Sequence, residues 1–224
     1  VEMKRSSNDS DTYELYRKYQ TAIHHDDPDD ITERQFKRFL VDSPLVAKEG
    51  WPVPGLGSCH QKYYYDGRLI AVAVLDILPE CVSSVYLMYD PDFADWSLGN
   101  YSALREIMLT HTLTRHHASL KYYCMGLYIH SCSKMRYKGQ YRPSQLLDPD
   151  TNIWQPLANY LPHLDAHPYV TFAEDSTTPA LERMADKDRP APGIDDWHAL
   201  SEDVLEDVAV FPRTRIIYAN VGMQ

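Results

Sequence analysis

The chain has 224 residues, an apolar fraction of 44% and a formal net charge of −10, enough length for one good-sized core with an appendage. No apolar run approaches the roughly 20 residues that cross a bilayer; the strongest, Leu69 to Leu78, contains Asp76, so no membrane association is expected. The acidity argues against nucleic acid as an average only. Between Glu106 and Asp148 there is no acidic residue, and that interval holds Arg115, Lys121, Lys134, Arg136, Lys138 and Arg142. The acids gather in Asp26 to Asp30 and from Asp148 onward, which leaves either one phosphate-compatible face or a solvated basic surface.

Val1 to Ser10 is polar and expected to fray. From Tyr13 to His24, residues Tyr13, Tyr16, Tyr19 and Ile23 recur at helical steps. A second helix starts near Thr32, where Thr32 and Gln35 form a capping-box pattern ahead of Phe36, Phe39 and Leu40. Pro44 closes it, and Pro52, Pro54, Gly55 and Gly57 mark a loop. Three strands are expected at Ser58 to Tyr65, Arg68 to Leu78 and Val82 to Tyr89. Asp66-Gly67 joins the first two as a hairpin turn, so the sheet begins antiparallel.

A helix from about Ser97 to Thr114 follows, with Tyr101, Leu104, Met108 and His111 expected on its buried side. Next come a strand from Lys121 and an extended stretch from Arg142 through Gln155. Ala173 to Gly193 is rich in Asp, Glu, Ser, Thr and Pro and reads as a linker; beyond it, a short helix is expected at Ser201 to Val208 and strand character at Val210 to Ala219. The expected organisation is a terminal segment 1–10, a domain 11–172 and an acidic extension 173–224. Two helices, a β-meander, a helix and a further strand suggest an α+β fold, a mixed and largely antiparallel sheet flanked by helices in an acyltransferase layout of the GNAT kind.

Cys59, Cys81, Cys124 and Cys132 show no CxxC spacing and read as reduced thiols of the cytosol or nucleus, small buried hydrophobes rather than zinc ligands. The most informative run is Tyr122 to Ser144, YYCMGLYIHSCSKMRYKGQYRPS, in which a buried-strand pattern ends in a polar, cationic turn. Alternation puts Tyr123, Met125, Leu127 and Ile129 on one face and Cys124, Gly126, Tyr128 and His130 on the other. Gly126 leaves room for an approach to the backbone. Ser131 is positioned to cap a short helix on which Lys134 and Lys138 point the same way.

This run resembles the arginyl-tRNA–protein transferase family. So, in the same order, do Gly57 to Tyr65 (GSCHQKYYY), Ser83 to Asp92 (SSVYLMYDPD), Ser97 to Ile107 (SLGNYSALREI), and ELYRKYQTAIHHD and FLVDSPL within Tyr16 to Leu45 and its flank. The resemblance covers about Asp11 to Leu164. It departs at Ser133, where the family usually has proline, and in lacking the cysteine-rich N-terminal domain of eukaryotic members. Since the chain starts at Val1 without methionine, it is expected to be an excerpt. A metal or iron–sulfur site would belong to that absent region, and no metal or cofactor is expected in this chain.

The resemblance implies a GNAT-like fold and a reaction in which the neutral α-amine of a protein beginning with Asp or Glu attacks the ester carbonyl of arginyl-tRNA, marking that protein for ubiquitin-dependent N-degron degradation in the cytoplasm or nucleus. The ester is already activated, so orientation and a proton acceptor suffice. Fixed cations are needed for an acidic acceptor, and His130, Lys134, Lys138, Tyr141 and Arg142 are the acceptor-side candidates; Arg142 suits a bidentate carboxylate contact. A guanidinium donor needs carboxylates, for which Asp76 and Asp92 are candidates. Asp76 interrupts an apolar strand, and its partner is either the substrate or a structural group.

Ser97, Gly99 and Tyr101 open a helix whose N-terminus suits a phosphate or oxyanion, although ordinary capping by Ser97 explains the same residue. With only Gly99 there, the pattern is poorer in glycine than a coenzyme A loop. Among the seventeen tyrosines, Tyr89 and Tyr141 stand at polar strand ends as stacking candidates. The catalytic proton acceptor stays open among His130, Asp90 and a tyrosine-bound water, with Tyr89 beside Asp90. Two rivals remain: a coenzyme A-dependent N-acyltransferase, and a non-catalytic reader of acidic N-termini.

Overall fold

Tyrosines at helical spacing need a starting point for their helix, and Asp9 supplies it. Its carboxylate accepts from the Thr12 amide at 3.1 Å and caps α1, Ser10–Tyr19, which a π-helical turn, Gln20–His24, extends. These observations come from a computed structural model that describes residues 1–48, 55–148, 153–167, 170, 172 and 217–222. The described chain forms two compact units, built on Val1–Gly126 and Leu127–Asn220.

In the first unit α2 is Glu33–Leu40, and the expected capping box forms in both directions between Thr32 and Gln35. Tyr16, Tyr19, Phe36 and Leu40 bury one apolar face. They meet the meander expected from the sequence: β2 Gly57–Tyr65, β3 Arg68–Ile77 and β4 Cys81–Tyr89. At the hairpin Asp66 and Gly67 both have positive φ, 46° and 81°, the pair of left-handed positions that a type I′ turn requires and that Asp-Gly tolerates.

The N-terminus does not fray. Glu2–Arg5 is a strand, β1, antiparallel to β2 from Glu2↔Lys62 to Arg5↔Cys59. Arg5 anchors it by donating to the carbonyls of Leu56 at 2.6 Å and Lys48 at 2.9 Å. An edge strand held by backbone pairing and one guanidinium carries no hydrophobic signature, so the polar composition misled.

Strand β5, Tyr122–Tyr128, lies parallel to β4, giving the order β1-β2-β3-β4-β5. Helices α1 and α2 cover one face of this sheet, through Val72, Val74 and Met88. Helix α3, Leu98–Thr114, is on the other, its Ser102 meeting the Tyr63 hydroxyl at 3.3 Å. This is the expected α+β class, a mixed and largely antiparallel sheet flanked by helices.

Helix α3 is inverted relative to expectation. Its buried residues are Leu98, Ser102, Ala103, Glu106, Thr110 and Leu113, whereas Tyr101, Leu104 and Met108 are 46%, 57% and 59% exposed, and His111 is exposed too. The inward face is small and hydroxylated because it encloses a carboxyl group, described below.

The second unit holds α4, Ser133–Arg136, a 3-10 turn at Tyr137–Gln140, the antiparallel pair β6 Ser144–Leu147 and β7 Trp154–Pro156, and α5, Leu161–Ala166. Leu146 and Leu157 are its buried anchors. Ile217–Gly222 is a strand, β8, overlapping the expected tail; the linker at Ala173 to Gly193 and the helix at Ser201 to Val208 lie outside the described residues. Among the described residues no helix is long and apolar enough to cross a membrane.

Candidate functional site

The parallel ladder between β4 and β5 has only three pairs, Cys81↔Tyr122, Val82↔Tyr123 and Ser83↔Cys124. Two backbone irregularities follow immediately. On β4 the register with β3 jumps from Leu75↔Ser84 to Val74↔Tyr86, leaving Val85 as a bulge, and on β5 Gly126 takes φ +70°. A Cβ on Gly126 would sit 4.0 Å from the Ser84 carbonyl oxygen, an ordinary contact. Glycine is therefore needed for its backbone angle rather than for clearance. That kink also breaks the expected alternation: Tyr123 and Met125 are buried, and then Tyr128 rather than Leu127. Ser84 thus stands at the first position where the two strands are no longer paired.

Behind Ser84 lies a group that the sequence reading missed. Glu106 is 2% exposed, and its carboxyl accepts from Ser102 Oγ at 2.5 Å and from the Tyr123 hydroxyl at 2.7 Å, while the Ser84 hydroxyl also acts to stabilise its charged form. Burial pushes its pKa above the usual carboxyl range, and the three hydroxyls only partly offset that. Among the described residues it has no ion-pair partner. The available signal was a Ser-x-x-x-Glu spacing in α3, which places Ser102 and Glu106 on one helical face.

Asp90, a catalytic candidate, lies in a clasp of charges. It is 3% exposed, paired with Lys18 Nζ at 2.5 Å and with Arg68, and it accepts from the Asp92 amide. Burial raises its pKa, but Lys18, that amide and Arg68 outweigh burial and hold it below the ordinary value. Asp92 shares both cations, Lys18 at 2.9 Å and Arg68 at 2.6 Å. A cleft of about 800 Å³ opens beside this clasp, lined by Asp11, Glu14, Arg17, Lys18 and Arg68 among others. Its lining carries both signs of charge. Tyr89 packs edge-on against Tyr19 at 5.0 Å.

Asp76 is half-buried at the end of β3 and accepts from Ser58 Oγ at 2.5 Å, a structural partner within the sheet. Ser97 has φ 52° and makes no side-chain capping bond, so the capping explanation fails for it. A Cβ on Gly99 would meet only Leu87, at 3.8 Å. Tyr101 is half-exposed and edge-on to Tyr63 at 5.8 Å.

The cationic turn belongs to the second unit. His130 Nε2 lies 2.8 Å from Asp165, and its Nδ1 lies 2.8 Å from the Tyr128 hydroxyl. Both ring nitrogens therefore have a partner. Asp165 on α5 was not foreseen, being 35 residues from His130 in the chain. Ser131 does not cap α4; Cys132 occupies the cap position, without a side-chain bond. Lys138 does not project freely, since its ammonium donates to the Leu127 carbonyl at 2.8 Å. Arg136 similarly donates to the His130 carbonyl at 2.7 Å. Arg142 is exposed, and Tyr141 packs edge-on against Tyr137 at 6.4 Å. The Lys134 side chain lies outside the described residues. The turn therefore gathers His130, Lys138, Tyr141 and Arg142 in one short stretch of the second unit.

The four cysteines are unpaired, with Cys59 and Cys132 buried; burial pushes the thiols of Cys59 and Cys81 up to about 11. Among the described residues no group of three or more His, Cys, Asp or Glu could hold a metal ion.

The family model "Arginine-tRNA-protein transferase, C terminus" matches residues 11–148. Arginyl-tRNA–protein transferase 2 of Arabidopsis thaliana is 52% identical over 184 residues, covering 79% of this chain and 30% of the relative. Arginyl-tRNA–protein transferase 1 of Drosophila melanogaster is 51% identical, over 73% of this chain and 34% of the relative. A third relative, the aspartate/glutamate leucyltransferase of Pseudomonas paraeruginosa, is 39% identical over 64% of this chain and 54% of its own length. The chain thus spans about a third of the plant and insect relatives. Among solved structures, the PaiA N-acetyltransferase of Thermoplasma acidophilum with coenzyme A aligns at 9% identity and a TM-score of 0.37, over 68% of this chain and 94% of that one. With a match running through more than half of its length, this chain belongs to the arginyl-tRNA–protein transferase family and corresponds to its C-terminal part.

Proposed function

We propose that the chain is the C-terminal part of an aminoacyltransferase that moves arginine from arginyl-tRNA to the α-amine of proteins beginning with Asp or Glu. Such a reaction would mark these proteins for the N-degron route of degradation in the cytoplasm or nucleus. The observation that carries this reading is the family match over residues 11–148, which takes in the β4–β5 opening and the cationic turn. The bacterial relative adds support for the acceptor. That relative is named an aspartate/glutamate leucyltransferase, and an acidic acceptor in this chain is in keeping with that name. Arg142, exposed beside the turn, offers a planar pair of donors to a carboxylate.

The test is arginine incorporation by a full-length form, using labelled arginyl-tRNA and peptides differing only at residue one. Incorporation into Asp- and Glu-peptides but not Ala-peptides is expected, with Arg142→Glu abolishing it at an unchanged circular dichroism spectrum. Binding of Asp-peptides with no incorporation would instead make the protein a reader of acidic N-termini.

A further inference from the structure

We propose that Glu106 is the proton acceptor for the attacking amine, reached through the Ser84 hydroxyl. The proposal rests on the transferase reading above. In that reaction the acceptor's ammonium group must lose two protons. A nitrogen–carbon bond forms at the ester carbonyl and the bond to the tRNA 3′-oxygen breaks. One proton ends on that oxygen; the other must leave to a base, and afterwards to solvent.

The geometry favours Glu106 over the groups suggested by sequence. Asp90 is neutralised by Lys18 and Arg68, and the two ring nitrogens of His130 are occupied by Tyr128 and Asp165. A carboxyl serving only as a structural charge would be expected to have a cation beside it. Glu106 has three hydroxyls instead: Ser102 on its own helix, Tyr123 on β5 and Ser84 on β4. From β2, Tyr63 contacts Ser102 rather than Glu106 itself, and Tyr63 also donates to Gln61 at 2.5 Å. Arg105, the neighbour of Glu106 in the chain, is exposed. Of the three hydroxyls, Tyr123 is 1% exposed and Ser102 2% exposed, whereas Ser84 is half-buried. Ser84 is also the residue at which the β4–β5 ladder ends and the bulge begins.

A hydroxyl that donates to a buried carboxylate and accepts from an amine outside passes a proton inward without moving a heavy atom. Relays through one bridging group are within the reach of general-base catalysis. The direction of the Glu106 pKa shift agrees, because a carboxyl raised above its usual range is a stronger base toward an ammonium ion. Glu106 thus acts through Ser84 without touching the substrate, and Ser84 is the group that does.

The experiment measures kcat/KM against pH for a full-length form with arginyl-tRNA and an Asp-peptide. Glu106→Gln keeps the shape and is expected to lower the rate by roughly 100- to 10,000-fold, to remove the acid limb of the profile and to leave arginyl-tRNA affinity unchanged. Ser84→Ala should lose the same limb, and Ser84→Thr, which keeps the hydroxyl, should restore it. A wild-type rate and profile in Glu106→Gln would overturn the relay. If Glu106→Gln does not fold, Ser84→Ala decides: a profile identical to wild type overturns the proposal, and a lost acid limb supports it. Absence of arginine transfer by the wild-type protein would instead refute the functional reading on which this one rests.

Discussion

Asp90 joins helix to sheet through charge. Lys18 comes from α1 and Arg68 from the start of β3, and both converge on a carboxylate that is itself buried. Removing that charge leaves two cations facing each other around a buried amide, so Asp90→Asn should destabilise by about 1.5–3 kcal/mol, the range for hydrogen bonds to charged groups. The half-exposed Lys18 and Arg68 favour the lower end. The pH dependence has a definite sign. Asp90 and the cap Asp9 both titrate below the ordinary value of 3.8, Asp9 at about 2. Each contribution is complete above that ordinary value and is lost as pH falls through the lowered folded-state pKa, which for Asp9 is about 2. Thermal melts of wild type and Asp90→Asn should therefore differ at pH 7 and converge toward pH 2; a constant difference across that window would rule out the ionised clasp.

At the level of elements, helix α3 departs most from its sequence pattern. Its outer stripe of Tyr101, Leu104 and Met108 is exposed while its inner face carries Ser102, Glu106 and Thr110. Apolar periodicity chose the wrong face because the inner surface is shaped by one buried carboxyl and the hydroxyls that satisfy it, which is a non-local arrangement. The orientation can be checked directly: Leu104→Glu should change stability by no more than about 0.5 kcal/mol in a denaturant titration, as for other surface substitutions. A loss of several kcal/mol would return Leu104 to the core. Elements set by neighbours in the chain were legible. The Thr32–Gln35 capping box, the Asp66-Gly67 turn and the tyrosine stripe of α1 each depend on residues a few positions apart. What escaped depends on partners far along the chain: β1 on β2, Lys18 and Arg68 on Asp90, and Asp165 on His130. The cationic turn was visible as a cluster of residues. That Lys138 and Arg136 are tied to carbonyls was not.

For the molecule as a whole, charge distribution matters more than its sum. A chain of net charge −10 binds a polyanion only if its cations are segregated, and the acid-free interval from Glu106 to Asp148 provides that segregation. Arg115 and Lys121 lie within it, exposed, at the end of α3 and before β5. If this interval meets the phosphates of arginyl-tRNA, each neutralised phosphate releases counterions, and log affinity should fall linearly with log salt by about 0.7–0.9 per contact. The double change Arg115→Glu, Lys121→Glu in a full-length form should then weaken binding and flatten that slope by about 1–2, while leaving the thermal melt unaltered. The measurement is a salt titration of arginyl-tRNA affinity for both forms. Equal slopes would remove these two residues from the phosphate contacts. A flat response in the wild type would mean that segregation of charge along the chain does not translate into a tRNA surface, since no arrangement of productive cation–phosphate contacts escapes the salt dependence of counterion release.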